Sequence, residues 1–353
     1  MSATTGDKTP GQETRSGHVD RVVGPADLSV PEKLDELARS GRETPEVELG
    51  GEKIELREVE KTERDLAIIR LVTGSVDRLM RRYGRERVIE IPPENLHLIE
   101  PTEKISGFYD ARRQQLAVEK RVGSDSALAA DLFHELVHAK SYNALKVRDQ
   151  GGDRELTYYR TGLETVARNG RTHFRELNEA VVQSLTVDFF DRTIARDDLF
   201  ADEIRAGGRR GVDPREREEG SYWSERQHLR ALAEAIFEAA ARRQEGMDRR
   251  PRFSGPGDVE QVFVKASVTG QMLEAARLVE EVWGAGSFRR LGESLGEFCR
   301  DNIYGRRPSS GGLVDKLIGA AAKPVREIVR KCSSLLSSDS SVVDSLFSRL
   351  KKG

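Results

Sequence analysis

Residues 124–145, SDSALAADLFHELVHAKSYNAL, constrain this chain more than any other stretch. Ser124 or Asp125 can cap a helix there, and Leu128, Leu132, Leu136 and Ala139 recur at helical spacing along one face. Within that run stands His134-Glu135-Leu136-Val137-His138, an H-E-x-x-H pattern. Residues four apart lie one above the other on a helix, so both imidazoles can point at one tetrahedral ion. Glu135, next to the first of them, can reach water activated at that ion and take its proton. Zinc suits such ligands as a borderline-soft, redox-inert Lewis acid.

The surroundings predict short strands before and after this helix. ERDLAIIRLVTGSVDRLMRRYG, from about residue 62, places Leu66, Ile69, Val72, Val76 and Leu79 at helical spacing, with Gly84 where a C′ glycine belongs. RVIEIPPENLHLIEP reads as two short strands broken by Pro92-Pro93, and ISGFYDARRQQLAVEKR as a hairpin bending at Asp110-Ala-Arg. Within it, 114–119 is a candidate edge strand for pairing with an extended peptide, the alternative being an interior strand. Asn169-Gly170 marks a turn between strand-like runs. A second helix is expected at 177–196, LNEAVVQSLTVDFFDRTIAR, capped by Asn178. Beyond a charged loop at 205–220, helical patterns dominate over 222–246, 258–284 and 287–303.

His134–His138 followed by Asn178-Glu179-Ala180 resembles the gluzincin branch of zincin metallopeptidases, the group that includes thermolysin. The likeness covers roughly 62–196, and it extends more loosely to uncharacterised bacterial zincin-like proteins with a G-F-Y hairpin before the helix. It implies an α+β fold, with a small sheet and the active-site helix followed by a mainly helical second half. It also implies zinc held by His134, His138 and Glu179, with Glu135 as general base for peptide-bond hydrolysis. Two departures stand out. Residues 139–148 hold no third histidine, which excludes the metzincin pattern. Gln183 occupies the place where thermolysin-like enzymes carry a carboxylate that orients the first histidine; its amide oxygen can accept the same bond without charge. Asp131, one turn before His134, could substitute, although a solvated helix position explains it as well. Tyr158, Tyr159, Arg160, Tyr222 and His228 are candidate stabilisers of a tetrahedral oxyanion. His18, His97 and His173 read as ordinary residues.

Composition closes off other classes. Lys+Arg 58 against Asp+Glu 60 leaves a net charge of −2, without the basic excess that marks nucleic-acid binding. Two cysteines, Cys299 and Cys332, exclude a disulfide framework and any C-x-x-C metal site. The N-terminus lacks a secretory pattern and no apolar run reaches the length of a membrane span, so a cytoplasmic protein is expected, and the resemblance implies peptide or protein substrates. Three segments follow: a disordered tail over 1–50, dispensable for folding; a metallopeptidase domain over 51–305; and a linker with an amphipathic helical segment over 306–353. That last segment packs back on the domain or binds a partner or a membrane surface. The rival reading is a catalytically silent zincin-like binding or regulatory module. Intact Glu135 weighs against it, because a purely structural zinc site has no use for a general base.

Overall fold

The computed structural model describes residues 19–304 except 24–28, 50–51, 103–104, 122, 151–152, 168, 208–222 and 245–250. The chain divides into a unit of residues 1–303 and a second of 304–353. The C-terminal linker and amphipathic segment, the charged run at 209–219, Tyr222 and His18 therefore lie outside the described residues.

The elements run β1 (Arg21–Val23), α1 (Ser29–Ser40), β2 (Glu46–Leu49), β3 (Glu52–Glu55), α2 (Glu63–Arg82), β4 (Leu96–Ile99), β5 (Gly107–Asp110), β6 (Gln115–Glu119) and α3 (Asp125–Lys140). They continue with β7 (Asn143–Gln150), β8 (Asp153–Thr161), β9 (Glu164–Val166), β10 (Thr172–His173), α4 (Arg175–Arg192) and α5 (Ala201–Gly207). The helical remainder is α6 (Trp223–Gln244), α7 (Pro256–Thr269), α8 (Leu273–Trp283), α9 (Ser287–Glu293) and α10 (Leu295–Cys299). The fold is α+β with a helical C-terminal half, as the sequence implied. No described helix is long and apolar enough to cross a membrane.

A three-stranded sheet, ordered β4-β6-β5, backs helix α3. Leu96, Leu98, Leu116 and Val118 join α2 and α3 in the main core. Helix α2 starts at a reciprocal capping box, in which the Thr62 N–H donates to Asp65 (2.7 Å) and the Asp65 N–H to the Thr62 hydroxyl (3.2 Å). Its fully buried stripe is Ile68, Val72, Val76 and Met80, one residue round from part of the expected set. Gly84 ends it with φ 87°, as its C′ position requires.

Several expectations are corrected. The apolar run at 88–91 packs against the core without joining a ladder; Pro92 and Pro93 supply no N–H donors, and a 3₁₀ turn at Pro93–Asn95 leads directly into β4. The 114–119 strand is interior, not an edge: β6 lies between β4 and β5, and β5 is an edge of the sheet among the described residues. Its Gln115 amide donates to the Glu43 carbonyl at 2.8 Å, outside the sheet. Nor is 1–50 a tail throughout. Strand β1 pairs in parallel with β7, and Val19 and Leu34 are buried against Leu145, Val147 and Leu156. Gly41 is pressed so closely on the Arg113 carbonyl that no side chain would fit. His97, buried on the same side, bonds the Gly41 carbonyl at 2.8 Å, in keeping with its ordinary role. The tail's composition is polar, but its few apolar residues fall where the sheet offers matching surface. The 258–284 helix is likewise split: Gly270, at φ 79°, ends α7 where a Cβ would meet the Tyr142 ring at 2.6 Å.

Candidate metal centre

Helix α3 carries two of the three converging groups, and it is buried on more sides than its leucine stripe suggests. Ala127, Ala129, Ala130, Phe133, Val137 and Lys140 are inside as well. A helix apolar nearly all round belongs in the middle of a fold. Lys140, 2% exposed, is paired with Asp77 of α2 at 2.6 Å, which is how a charge is tolerated at that depth. Ser124 makes no side-chain cap bond. Instead the Glu203 carboxylate from α5 accepts the Ser126 N–H (2.9 Å) and hydroxyl (2.7 Å), placing negative charge at the helix N-terminus.

Helix α4 supplies the third group. It starts three residues before Asn178, so Asn178 is not its cap. Phe174 occupies that position in the left-handed region at φ 61°. Tertiary contacts impose this start: the Phe174 N–H donates to the Gly292 carbonyl at 2.6 Å, and the Glu176 carboxylate accepts the Gly296 N–H at 2.9 Å. Phe133 of α3 stacks on Phe189 of α4 with centroids 4.2 Å apart, fixing the two helices against each other.

Across that interface the His134 and His138 Nε2 atoms are 3.2 Å apart, and Glu179 Oε2 is 3.3 Å from each. Donor atoms about 2.0–2.1 Å from one ion at tetrahedral angles stand about 3.3 Å from one another. The three side chains thus form one face of a tetrahedron sized for a transition-metal ion, and they could hold one. Their exposures are 13%, 11% and 10%, leaving an approach from a single side. That side opens into a cavity of about 540 Å³.

The electrostatics couple the three groups. Burial resists ionisation of Glu179, yet the two imidazoles outweigh it and hold the carboxyl well below its usual range. Burial likewise resists protonation of His138, and the Glu179 charge and hydrogen bond overcome it, raising the imidazole's proton affinity. Glu135 differs: burial pushes its carboxyl up to about 7, opposed by His134 and reinforced by Glu179 and Asp131. Its side chain faces the cavity beside Gly107, where an added Cβ would lie 3.2 Å from Glu135 Cγ.

Sequence reasoning missed the role of Asn178. Its amide contacts His138 Nδ1 at 3.3 Å while its oxygen accepts the Leu163 N–H at 2.9 Å and the Ser267 hydroxyl at 3.3 Å. Gly162, at φ 57°, must lack a side chain to make room for these groups. The signal in the sequence was the Asn next to Glu179, read there as a cap and as part of the N-E-A pattern but not as a support for His138. Gln183, Asp131 and Glu164 also line the cavity.

Among the described residues the oxyanion candidates do not converge on the centre, although Tyr158 and Arg160 line the cavity. The Tyr158 hydroxyl donates to Asp110 (3.0 Å) and accepts the Ala111 N–H (2.7 Å). Arg160 donates to the carbonyls of Gly162 (2.7 Å) and Gly270 (2.8 Å) and lies over the Tyr142 ring. Tyr159 is exposed, and His228 sits beside Gly296 near the start of α10. His173, on β10, is apart from the cluster. Comparison with protein-family models, curated proteins and solved structures finds no match to this chain.

Proposed function

We propose that this chain is a zinc-dependent peptidase of the gluzincin kind, hydrolysing peptide bonds, with zinc held by His134, His138 and Glu179. The observation that carries the reading is the triangle of two imidazole nitrogens and one carboxylate oxygen, 3.2–3.3 Å on edge, with Glu135 next in sequence to the first ligand. A zinc ion there supplies Lewis acidity. Glu135 accepts a proton from the attacking water and passes it to the leaving amine. Burial of the Glu135 side chain favours its neutral form, which helps it keep a proton taken from water. Ser106, Gly107 and Phe108 form the cavity wall beside it. The unpaired side of β5 presents backbone donors and acceptors to an extended peptide, which would align its scissile bond over the centre.

The test is metal content together with cleavage of casein or a peptide library. Wild type should carry one zinc per chain and cleave. Glu135→Gln should keep the zinc and lose at least about 100-fold of the rate, the lower end of what general acid–base catalysis contributes. Equal cleavage by both proteins would sink the mechanism. Zinc without cleavage of any peptide would favour the binding-module reading.

A further inference from the structure

We infer that Asp20, on the N-terminal segment, is a positioning residue for the metal centre, acting through Asn143 on the backbone of His138. This rests on the proposed ligand set. The last carbonyls of a helix have no intrahelical partner and must find one elsewhere. In α3 one of these carbonyls belongs to the ligand His138 itself. The Tyr142 N–H, four residues on, donates instead to the Ser267 carbonyl at 3.2 Å. The Asn143 side chain takes over: its two N–H bonds divide among the carbonyls of His138 (3.3 Å), Ala139 (2.9 Å) and Ser141 (2.9 Å). Asn143 is wholly buried, so water does not compete for these bonds.

Asn143 is in turn held from outside the helix. Its backbone N–H donates to Asp20 Oδ2 at 2.7 Å, and its carbonyl accepts the Asp20 N–H at 2.8 Å. The same Asp20 oxygen accepts from Arg85 at 2.9 Å, and Arg85 reaches on to the Val268 carbonyl at 3.0 Å. Asp20 thus joins the end of α2, the end of α7 and the end of the ligand helix at one carboxylate. Strand β1 continues this pairing beside β7, with Arg21 opposite Ala144. Charge-assisted bonds of this kind are stronger than neutral ones, and partners behind a ligand fix its orientation. A polar segment whose described residues do not line the cavity therefore sets how firmly His138 is held.

The experiment uses the full chain and two readouts. Zinc affinity is measured by competition with a chelating dye, and backbone hydrogen exchange is followed at 138–144 in metal-free protein. Asp20→Ala should weaken zinc binding by about 10-fold, the low end for residues behind a ligand, and should speed exchange at 138–144 selectively. Asp20→Asn keeps an acceptor for the Asn143 N–H but loses the charge facing Arg85, so it should fall between. Asn143→Ala should weaken zinc at least as much, and adding Asp20→Ala to it should cost little more, because both act along one path. Leu278→Ala, buried in α8, is the control for general destabilisation. The proposal is overturned if Asp20→Ala lowers melting temperature as Leu278→Ala does while zinc affinity and local exchange stay at wild-type values. Should Asp20→Ala not fold, Asp20→Asn carries the same comparison. Wild type that binds no zinc would overturn the metal reading instead, with hydrogen exchange still deciding the role of Asp20.

Discussion

The floor and the wall of the cavity hold similar kinds of residue and use them in opposite ways. On the floor, His134, His138 and Glu179 turn their donor atoms toward one another, 3.2–3.3 Å apart. On the wall, the Tyr158 hydroxyl and the Arg160 guanidinium turn away to Asp110 and to backbone carbonyls. A polar group already satisfied by its own chain costs free energy to redirect. Groups whose needs converge on one point are ready for an ion. Proximity to the cavity is therefore a weaker guide to function than the direction in which each group's polar atoms point.

His138→Ala should have the largest effect. It should abolish stoichiometric zinc, and with it the response of melting temperature to a chelator. Wild type at a metal concentration 100-fold above Kd should lose ~2.7 kcal/mol when the metal is stripped. A chelator-sensitive His138→Ala protein would break the contrast at its floor. Gly107→Val comes next, because its side chain must crowd Glu135 Cγ and the Ala117 carbonyl. Zinc content should hold while the cleavage rate falls toward the ~10²-fold that a 1 Å misplacement can cost. An unchanged rate would mean that Glu135 does not work from where it stands.

Deleting residues 1–45 should cost at least ~2 kcal/mol of stability, read by denaturant unfolding, since it strips buried Val19 and Leu34 from their cluster. Unchanged unfolding would return the whole segment to the status of a tail. The smallest effect on activity belongs to the wall. Tyr158→Phe leaves the Ala111 N–H without its partner and should lower stability by ~1–3 kcal/mol, with peptidase rate altered no more than a few-fold. A large loss of rate at full zinc occupancy would show that the hydroxyl leaves Asp110 during the reaction.

Much of this was legible before the structure. The H-E-x-x-H spacing, the downstream Glu179 and the hairpin that becomes β5 and β6 are local patterns, and local patterns survive in one dimension. The edge position passed from 114–119 to 107–110 because strand order is set by which strands find partners, and β4, well before β6 in the chain, took its outer side. Asn178 and Asn143 were unreadable as supports. An asparagine's amide is defined by what surrounds it, here Leu163 and Ser267 for one and three helix-end carbonyls for the other. Polar composition likewise concealed the docking of 19–23 and 29–49, since two buried apolar residues and one carboxylate suffice when a sheet edge is waiting.

The sequence by itself determined helix α3, the residue types at its cavity-facing positions and the α+β class, because helical periodicity and the four-residue spacing are properties of the backbone alone. Only the tertiary structure decided that Glu179 closes the triangle and that Tyr158 and Arg160 do not join it. It also decided that the N-terminal strand stands behind His138. Those outcomes depend on distances between residues tens to hundreds of positions apart, which packing of α3 against α4 and of β1 against β7 fixes to within a hydrogen bond's length.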